Sequence, residues 1–230
     1  MTGPFRRIDT ALLLRAYAAG LFPMADRRDS PDVFWVEPRR RGIIPLEAFH
    51  LPRSLARTLK RETFRHTVDR AFAEVIAACA DPAPGREQSW INRSIEDAYN
   101  RLHQEGHAHS VETWDANGEL VGGLYGVRIG AAFFGESMFS RRTDASKAAL
   151  AHLVARLRAG GFRLLDTQFW TPHLGRFGAI EVKRSRYLAL LEEALATPAC
   201  WTAFDTRRPA GPDTTAISGK AIVQFLTQTS

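Results

Sequence analysis

The chain predicts an α+β fold, a mixed sheet flanked by helices with a small N-terminal α/β domain in front of it. Three observations carry this expectation. Residues 107–140 switch to a period of two and read as three consecutive antiparallel strands. Residues 132–170 read strand, helix, strand, an order that needs a crossover joining a parallel pair. Helical patterns over 69–80 and from about 94 to 105 precede the crossover. With 230 residues, 45% of them hydrophobic, the chain can bury a core of this kind. The expected division is 1–62 for the N-terminal domain and 63–230 for the mixed-sheet domain.

Taken in order, the first helix runs from about Asp9 to Ala19, with Asp9 or Thr10 as its cap, Leu12, Leu13 and Ala16 among its apolar positions and Gly20 as its stop. Prolines and glycine then break 34–45 into short strands and turns. Arg53–Arg61 reads as a short helix that turns Leu55 and Leu59 inward. Arg53, Arg57, Lys60 and Arg61 cluster on another face at spacings of three and four. No carboxylate lies between Arg53 and Arg61 to balance them, so the stripe reads as a footprint for phosphate. The formal net charge of +6, largely from arginine, agrees with a polyanionic partner.

A strand over 64–68 and the helix over 69–80 lead into the loop 81–86, after which Trp90 is either core or a platform for a base. The next helix turns Ile95, Ala98, Tyr99 and Leu102 inward. Asn117-Gly118 is expected to supply the positive φ angles of a tight hairpin turn. Gly122, Gly123 and Gly126 inside a strand imply a bulge or the close approach of another chain or a ligand. Leu150, Leu153, Val154 and Leu157 repeat at helical spacing in the crossover, which ends at Gly160-Gly161. A short helical piece follows Trp170, then a helix over 185–196, and the apolar run Ala221–Leu226 reads as a last strand.

On period-two alternation Phe134, Glu136 and Met138 share one strand face, and Asp166 and Gln168 share a face of the next strand. Two carboxylates and an amide therefore come from neighbouring strands. Cys79 and Cys200 give no disulfide or zinc pattern, and His107 and His109 alone are a poor metal site. No run approaches the roughly 18 apolar residues that span a bilayer, and Met1–Arg7 lacks the apolar core of a signal peptide, so a cytoplasmic protein is expected.

The same element order occurs in GNAT-type acyltransferases. Enzymes of that class that use acetyl-CoA cradle its pyrophosphate at the start of the crossover helix on a glycine-rich turn. Here that turn reads Arg141-Arg-Thr-Asp-Ala-Ser146, with both glycines missing and a carboxylate where phosphate would sit. A different acyl donor is expected, and the basic stripe points to one made of nucleic acid.

Specific blocks then match a known family: Tyr17-Ala-Ala-Gly-Leu-Phe-Pro-Met24, Phe49-His-Leu-Pro-Arg-Ser-Leu55, Ser89-Trp-Ile91, Gly106-His-Ala-His-Ser-Val-Glu112, Leu120-Val-Gly-Gly-Leu-Tyr-Gly126, Phe134-Gly-Glu-Ser-Met-Phe-Ser140, Ala145-Ser-Lys147 and Asp166-Thr-Gln168. On these the chain resembles leucyl/phenylalanyl-tRNA protein transferases. The context around His173, Leu174-Gly-Arg-Phe-Gly-Ala179, departs from the family's more usual Leu-Gly-Ala. The resemblance implies a small N-terminal domain on a GNAT-like domain, acting as a monomer without a cofactor or metal. The implied activity moves leucine, phenylalanine or sometimes methionine from aminoacyl-tRNA to a protein N-terminus bearing arginine or lysine, marking that protein for degradation.

By the same resemblance Asp166 and Gln168 sit at the reacting centre. Asp166 would act through the Gln168 amide, as base or as orienter, and Glu136 would hold the cationic acceptor. The donor side chain must be apolar and unbranched at Cβ. Met138 suits it because a thioether adapts to leucine or phenylalanine, with Leu124, Phe133, Leu150, Leu153 and Leu165 as further lining. Trp90, Tyr17 and Trp35 are the stacking positions for the terminal adenosine, and Arg53, Arg57, Lys60 and Arg61 the phosphate contacts. The rival functions are an acetyl-CoA-dependent N-acetyltransferase and a non-catalytic RNA-binding module.

Overall fold

A computed structural model describes residues 7–82, 88–207 and 216–228. Helix α1 (Thr10–Ala18) starts at Asp9, whose carboxylate accepts the Leu12 N–H at 2.7 Å. Gly20, at φ +84°, turns the chain out of it. Strands β1 (Phe22–Met24) and β2 (Phe34–Val36) then pair as an antiparallel ribbon.

The main sheet has seven strands: β3 (Arg40–Ile44), β4 (Arg65–Val68), β5 (Ala108–Trp114), β6 (Leu120–Ile129), β7 (Ala132–Ser140), β8 (Leu164–Gln168) and β9 (Ile180–Lys183). Their order is β4-β5-β6-β7-β8-β3-β9, and every pair is antiparallel except β7 with β8. The alternation of 107–140 and the crossover therefore form as expected. β3 enters this sheet between β8 and β9, so the sheet crosses the division expected at residue 62. Gly42 makes the entry possible: a Cβ there would lie 2.5 Å from the Phe169 carbonyl carbon.

Helices cover both faces. On one lie α1, α3 (Phe72–Ala80), α4 (Arg93–Gln104) and α7 (Arg184–Ala196), burying Leu13, Ile76, Tyr99 and Leu191 with Phe134 of β7. On the other lie α2 (Arg53–Lys60), α5 (Ala145–Ala159) and α8 (Gly219–Gln228), burying Leu55, Leu153 and Ile222 with Phe133. The start of the crossover helix comes close because β6 is bare at Gly122: a Cβ there would sit 2.6 Å from the Ala145 Cβ. The chain that those strand glycines admit is thus the protein's own.

Two local expectations change. The hairpin turn takes a positive φ at Gly118 alone, at +79°. Asp115 Oδ1 accepts the backbone N–H groups of Asn117 and Glu119, both at 2.9 Å, which holds the loop without a left-handed Asn117. The run Ala221–Leu226 lies in helix α8 rather than a strand. Five apolar residues among six fit either period, and packing of the segment against α2, where Gly219 meets the Leu59 backbone, settles it. Helix α6 (Pro172–Gly175) is the anticipated short piece, whereas β9 was not anticipated. Among the described residues no helix is long and apolar enough to cross a membrane.

Candidate active site

The site begins with one extra residue. Across β6 and β7 the register pairs Tyr125 with Ser137 and Gly126 with Gly135, which leaves Glu136 opposite nothing. Such a bulge reverses the alternation beyond it. Phe134 packs into the α4 side of the sheet, but Met138, expected on the same face, packs on the α5 side with Leu124 and Leu153. The expectation that Phe134, Glu136 and Met138 share a face therefore fails at this bulge.

The parallel pairing of β7 and β8 stops at Phe134 and Asp166. A cavity of about 360 Å³ lies beyond that point. Leu124, Met138, Leu150, Leu153 and Leu165 line it, and so do Phe22, Met24 and Trp90, with Glu136, Gln168, Thr171 and His173 among its polar lining. The five aliphatic positions expected for a donor pocket thus meet in one place. Phe133 does not join them: fully buried on the α5 side, it stacks on Trp201 with centroids 5.5 Å apart.

Glu136 Oε1 accepts a hydrogen bond from Gln168 Nε2 at 3.2 Å, and Oε2 accepts one from the Tyr99 hydroxyl at 3.1 Å. The Tyr99 hydroxyl in turn bonds that of Tyr17. Burial, reinforced by the Asp166 charge, pushes the Glu136 carboxyl up to about 7, although the two tyrosine hydroxyls and Arg41 favour its ionised form. Burial and the nearby Glu136 hold both tyrosines well above their ordinary value, so they remain donors. Tyr17, expected to stack on a base, has no exposed surface; its ring packs against Phe134 at 4.8 Å. Trp90 lines the cavity, whereas Trp35 stands 38% exposed on β2 and does not.

Asp166 is fully buried and does not line the cavity. Its carboxylate accepts from Arg41 Nε at 2.9 Å and Nη2 at 2.7 Å, from the Tyr187 hydroxyl at 2.8 Å and from the Gln168 backbone N–H at 2.8 Å. The link between Asp166 and Gln168 is thus through the backbone amide, not the side-chain amide expected. Gln168 sits in the left-handed region at φ +55°, a conformation that costs a non-glycine residue on the order of 1–2 kcal/mol. The Asp166 bond supports that strained geometry, which leaves Nε2 facing Glu136.

Sequence reasoning missed Arg41, Tyr187 and the role of Tyr99. Arg41 carried only a faint signal: it shares a period of two with Ile43 on β3, but Gly42 and Ile44 beside them are buried as well.

On α2, Arg53, Arg57 and Lys60 are exposed, as is Arg61, and none of the four forms an ion pair among the described residues. The same helix closes the start of α5. Asp144 there accepts from Thr58 Oγ1 at 3.1 Å and pairs with Lys147 at 2.7 Å, where a pyrophosphate would need bare amides. His109 bonds Asp69 at 2.8 Å and stacks on Trp201, a structural use. Among the described residues no three His, Cys, Asp or Glu side chains are grouped to hold a metal.

A family profile described as leucyl/phenylalanyl-tRNA protein transferase matches residues 43–192, and one for the N-terminal domain of the same family matches 6–39. The leucyl/phenylalanyl-tRNA–protein transferase of Rhizorhabdus wittichii is 55% identical over 252 residues, spanning 98% of this chain and 100% of its own. That of Nitrobacter winogradskyi is 59% identical over 202 residues, 88% of this chain and 89% of its own. That of Phenylobacterium zucineum is 54% identical over 222 residues, 96% and 98% respectively. Among solved structures, L-PGS from Bacillus licheniformis aligns with a TM-score of 0.41 at 15% identity, over 74% of this chain and 56% of that one, too slight a likeness to assign a fold.

Proposed function

The chain belongs to the leucyl/phenylalanyl-tRNA protein transferase family, and on that premise we propose that the cavity between β7 and β8 is where it moves leucine, phenylalanine or methionine from aminoacyl-tRNA to a protein N-terminus bearing arginine or lysine. The observation that carries the placement is the meeting of five aliphatic side chains with Glu136 and Gln168 around one cavity. The parting of β7 and β8 after a short parallel pairing also supports reading the sheet as GNAT-like. The acceptor so marked would enter degradation. Aminoacyl-tRNA is a cytoplasmic donor, so the reaction is placed in the cytoplasm.

In this reading the donor's side chain fills the aliphatic end and Trp90 stacks on the terminal adenosine. Glu136, ionised above about pH 7, binds the acceptor ammonium and takes its proton, since an α-amino group titrates near 7.7–8.0. The freed amine nitrogen bonds to the ester carbonyl carbon. The bond from that carbon to the ribose oxygen breaks, and the ribose oxygen leaves as a hydroxyl, taking the second proton that the attacking nitrogen loses as the amide forms. The Gln168 side-chain amide is a donor for the oxyanion that forms between these steps. Asp166 orients Gln168 and exchanges no proton.

The test is incubation with labelled leucyl-tRNA and a peptide starting with arginine. Label is expected on the peptide, and label retained wholly on tRNA would overturn the reading. Calorimetry with CoA should show no binding, as the covered start of α5 demands.

Two predictions follow from the parts. Met138→Ala widens the aliphatic end, so the phenylalanine-to-leucine ratio of kcat/KM should rise about 10-fold. An unchanged ratio in competition assays would put the donor pocket elsewhere. Replacing Arg53 and Arg57 by alanine should weaken tRNA binding and lower the log–log salt slope by about 1.5 to 2. Binding unchanged in both low and high salt would return α2 to being solvated surface.

A further inference from the structure

We infer that Arg41 is a positioning residue for the cavity, holding strand β1, whose Phe22 lines it, and Gln168 in one fixed relation. The inference rests on the function proposed above and assigns that site a residue outside its lining. Arg41 is 1% exposed, although it follows the exposed Arg40, which pairs with Glu181. Each part of its guanidinium is committed to a different element. Nε and Nη2 fork onto Asp166 of β8, at 2.9 and 2.7 Å. Nη1 donates to the Gly20 carbonyl, 2.9 Å away in the turn between α1 and β1. Its two faces meet the Phe22 ring of β1 and the Tyr187 ring of α7, both 4.6 Å from the guanidinium carbon.

Those partners lead directly to the cavity. Phe22 lines the cavity, its ring edge-on to that of Phe169, the residue after Gln168. From the same guanidinium, Asp166 holds the Gln168 N–H, and Gln168 donates to Glu136. A planar five-donor fork can satisfy all these directions at once, and an ammonium cannot. A single buried cation thus joins a strained cavity residue to the strand that carries Phe22. Asp166, saturated by Arg41, Tyr187 and a backbone amide, is by the same geometry the intermediate of the coupling and not a proton acceptor.

Steady-state transfer by Arg41→Lys and Tyr187→Phe, measured beside the wild type over pH 5 to 9, tests this. Arg41→Lys loses the fork to β8 and the grip on Gly20 together. Its kcat should fall and its KM for leucyl-tRNA rise, with a combined loss in kcat/KM of about 100-fold. Tyr187→Phe keeps the ring under Arg41 and removes only one bond to Asp166, so its kcat should fall about 5-fold with KM within about 2-fold of the wild type. Binding of a non-hydrolysable leucyl-adenosine amide should weaken in the lysine variant alone.

If Arg41→Lys does not fold, Tyr187→Phe decides. A wild-type kcat in the phenylalanine variant, or in a folded lysine variant, overturns the inference. So does an acid limb of the rate profile that moves in Tyr187→Phe, because removing a donor from Asp166 would then have changed the base. Transfer by the wild type with unaltered variants counts against Arg41 alone, whereas no transfer by the wild type removes the proposed reaction and the coupling with it.

Discussion

Glu136→Gln is expected to lower leucine transfer at pH 8 by about 100- to 1,000-fold, the contribution typical of a positioned general base, and to flatten the acid limb of the rate profile. The groups that face Glu136 are the hydroxyls of Tyr99 and Tyr17, the Gln168 amide, and the Asp166–Arg41 pair beyond. The amide variant can keep the bond from Gln168 on its oxygen and reverse the one with Tyr99, its NH2 donating to the hydroxyl, so both contacts survive and the loss would report the missing charge. The same substitution should affect stability with a definite sign. A carboxyl raised from 4.5 to about 7 in the folded state binds more protons there than in the unfolded chain between those values, so the wild type loses stability as pH rises through this window. Above about 7 the cost is constant. The glutamine variant should therefore melt a few degrees higher than the wild type at pH 8 and at a similar temperature near pH 4. Wild-type transfer at pH 8 would remove Glu136 from the chemistry.

The bulge that presents Glu136 also marks the limit of what alternation could tell. Strand and helix identities from β4 to α7 were largely legible because each buries one face, and the period records which face that is. A bulge leaves no such mark. Gly135-Glu-Ser reads as ordinary strand, and only the register against Tyr125 and Gly126 reveals the added residue. Met138 was therefore assigned the wrong face, although it lines one cavity with Leu124, Leu150, Leu153 and Leu165.

Phe133 and Tyr17 failed for a different reason. A matched block or an aromatic side chain identifies importance, but burial decides use: Phe133 went to Trp201 and Tyr17 to Tyr99. The terminal run 221–226 and the strand β9 depended on partners distant in sequence, α2 for the first and β3 for the second. Arg41 was hidden among Arg39, Arg40 and Gly42, where a charge run ordinarily means solvent.

Asp166→Ala should be among the most destabilising single substitutions in the chain. It strands the buried Arg41 guanidinium with the Gly20 carbonyl as its remaining acceptor and deprives Tyr187 and the Gln168 N–H of theirs. Breaking one side of a buried pair costs about 3–5 kcal/mol, because the surviving charge stays desolvated. For a chain of this length that corresponds to a fall in melting temperature of roughly 10 °C.

The double substitution Arg41→Met with Asp166→Leu separates that loss from function. Apolar replacement of a whole buried pair is often neutral or stabilising, so the double variant should recover half or more of the melting temperature lost by Asp166→Ala. Transfer should not return, since nothing then accepts the Gln168 N–H or supports its φ of +55°. Thermal melts and transfer assays on both variants provide the comparison. If the double variant regained both stability and transfer, the ion pair would serve the fold alone. If it regained stability without transfer, the strained glutamine would be what Asp166 is there to hold, and the ion pair's stability contribution would be incidental to that role.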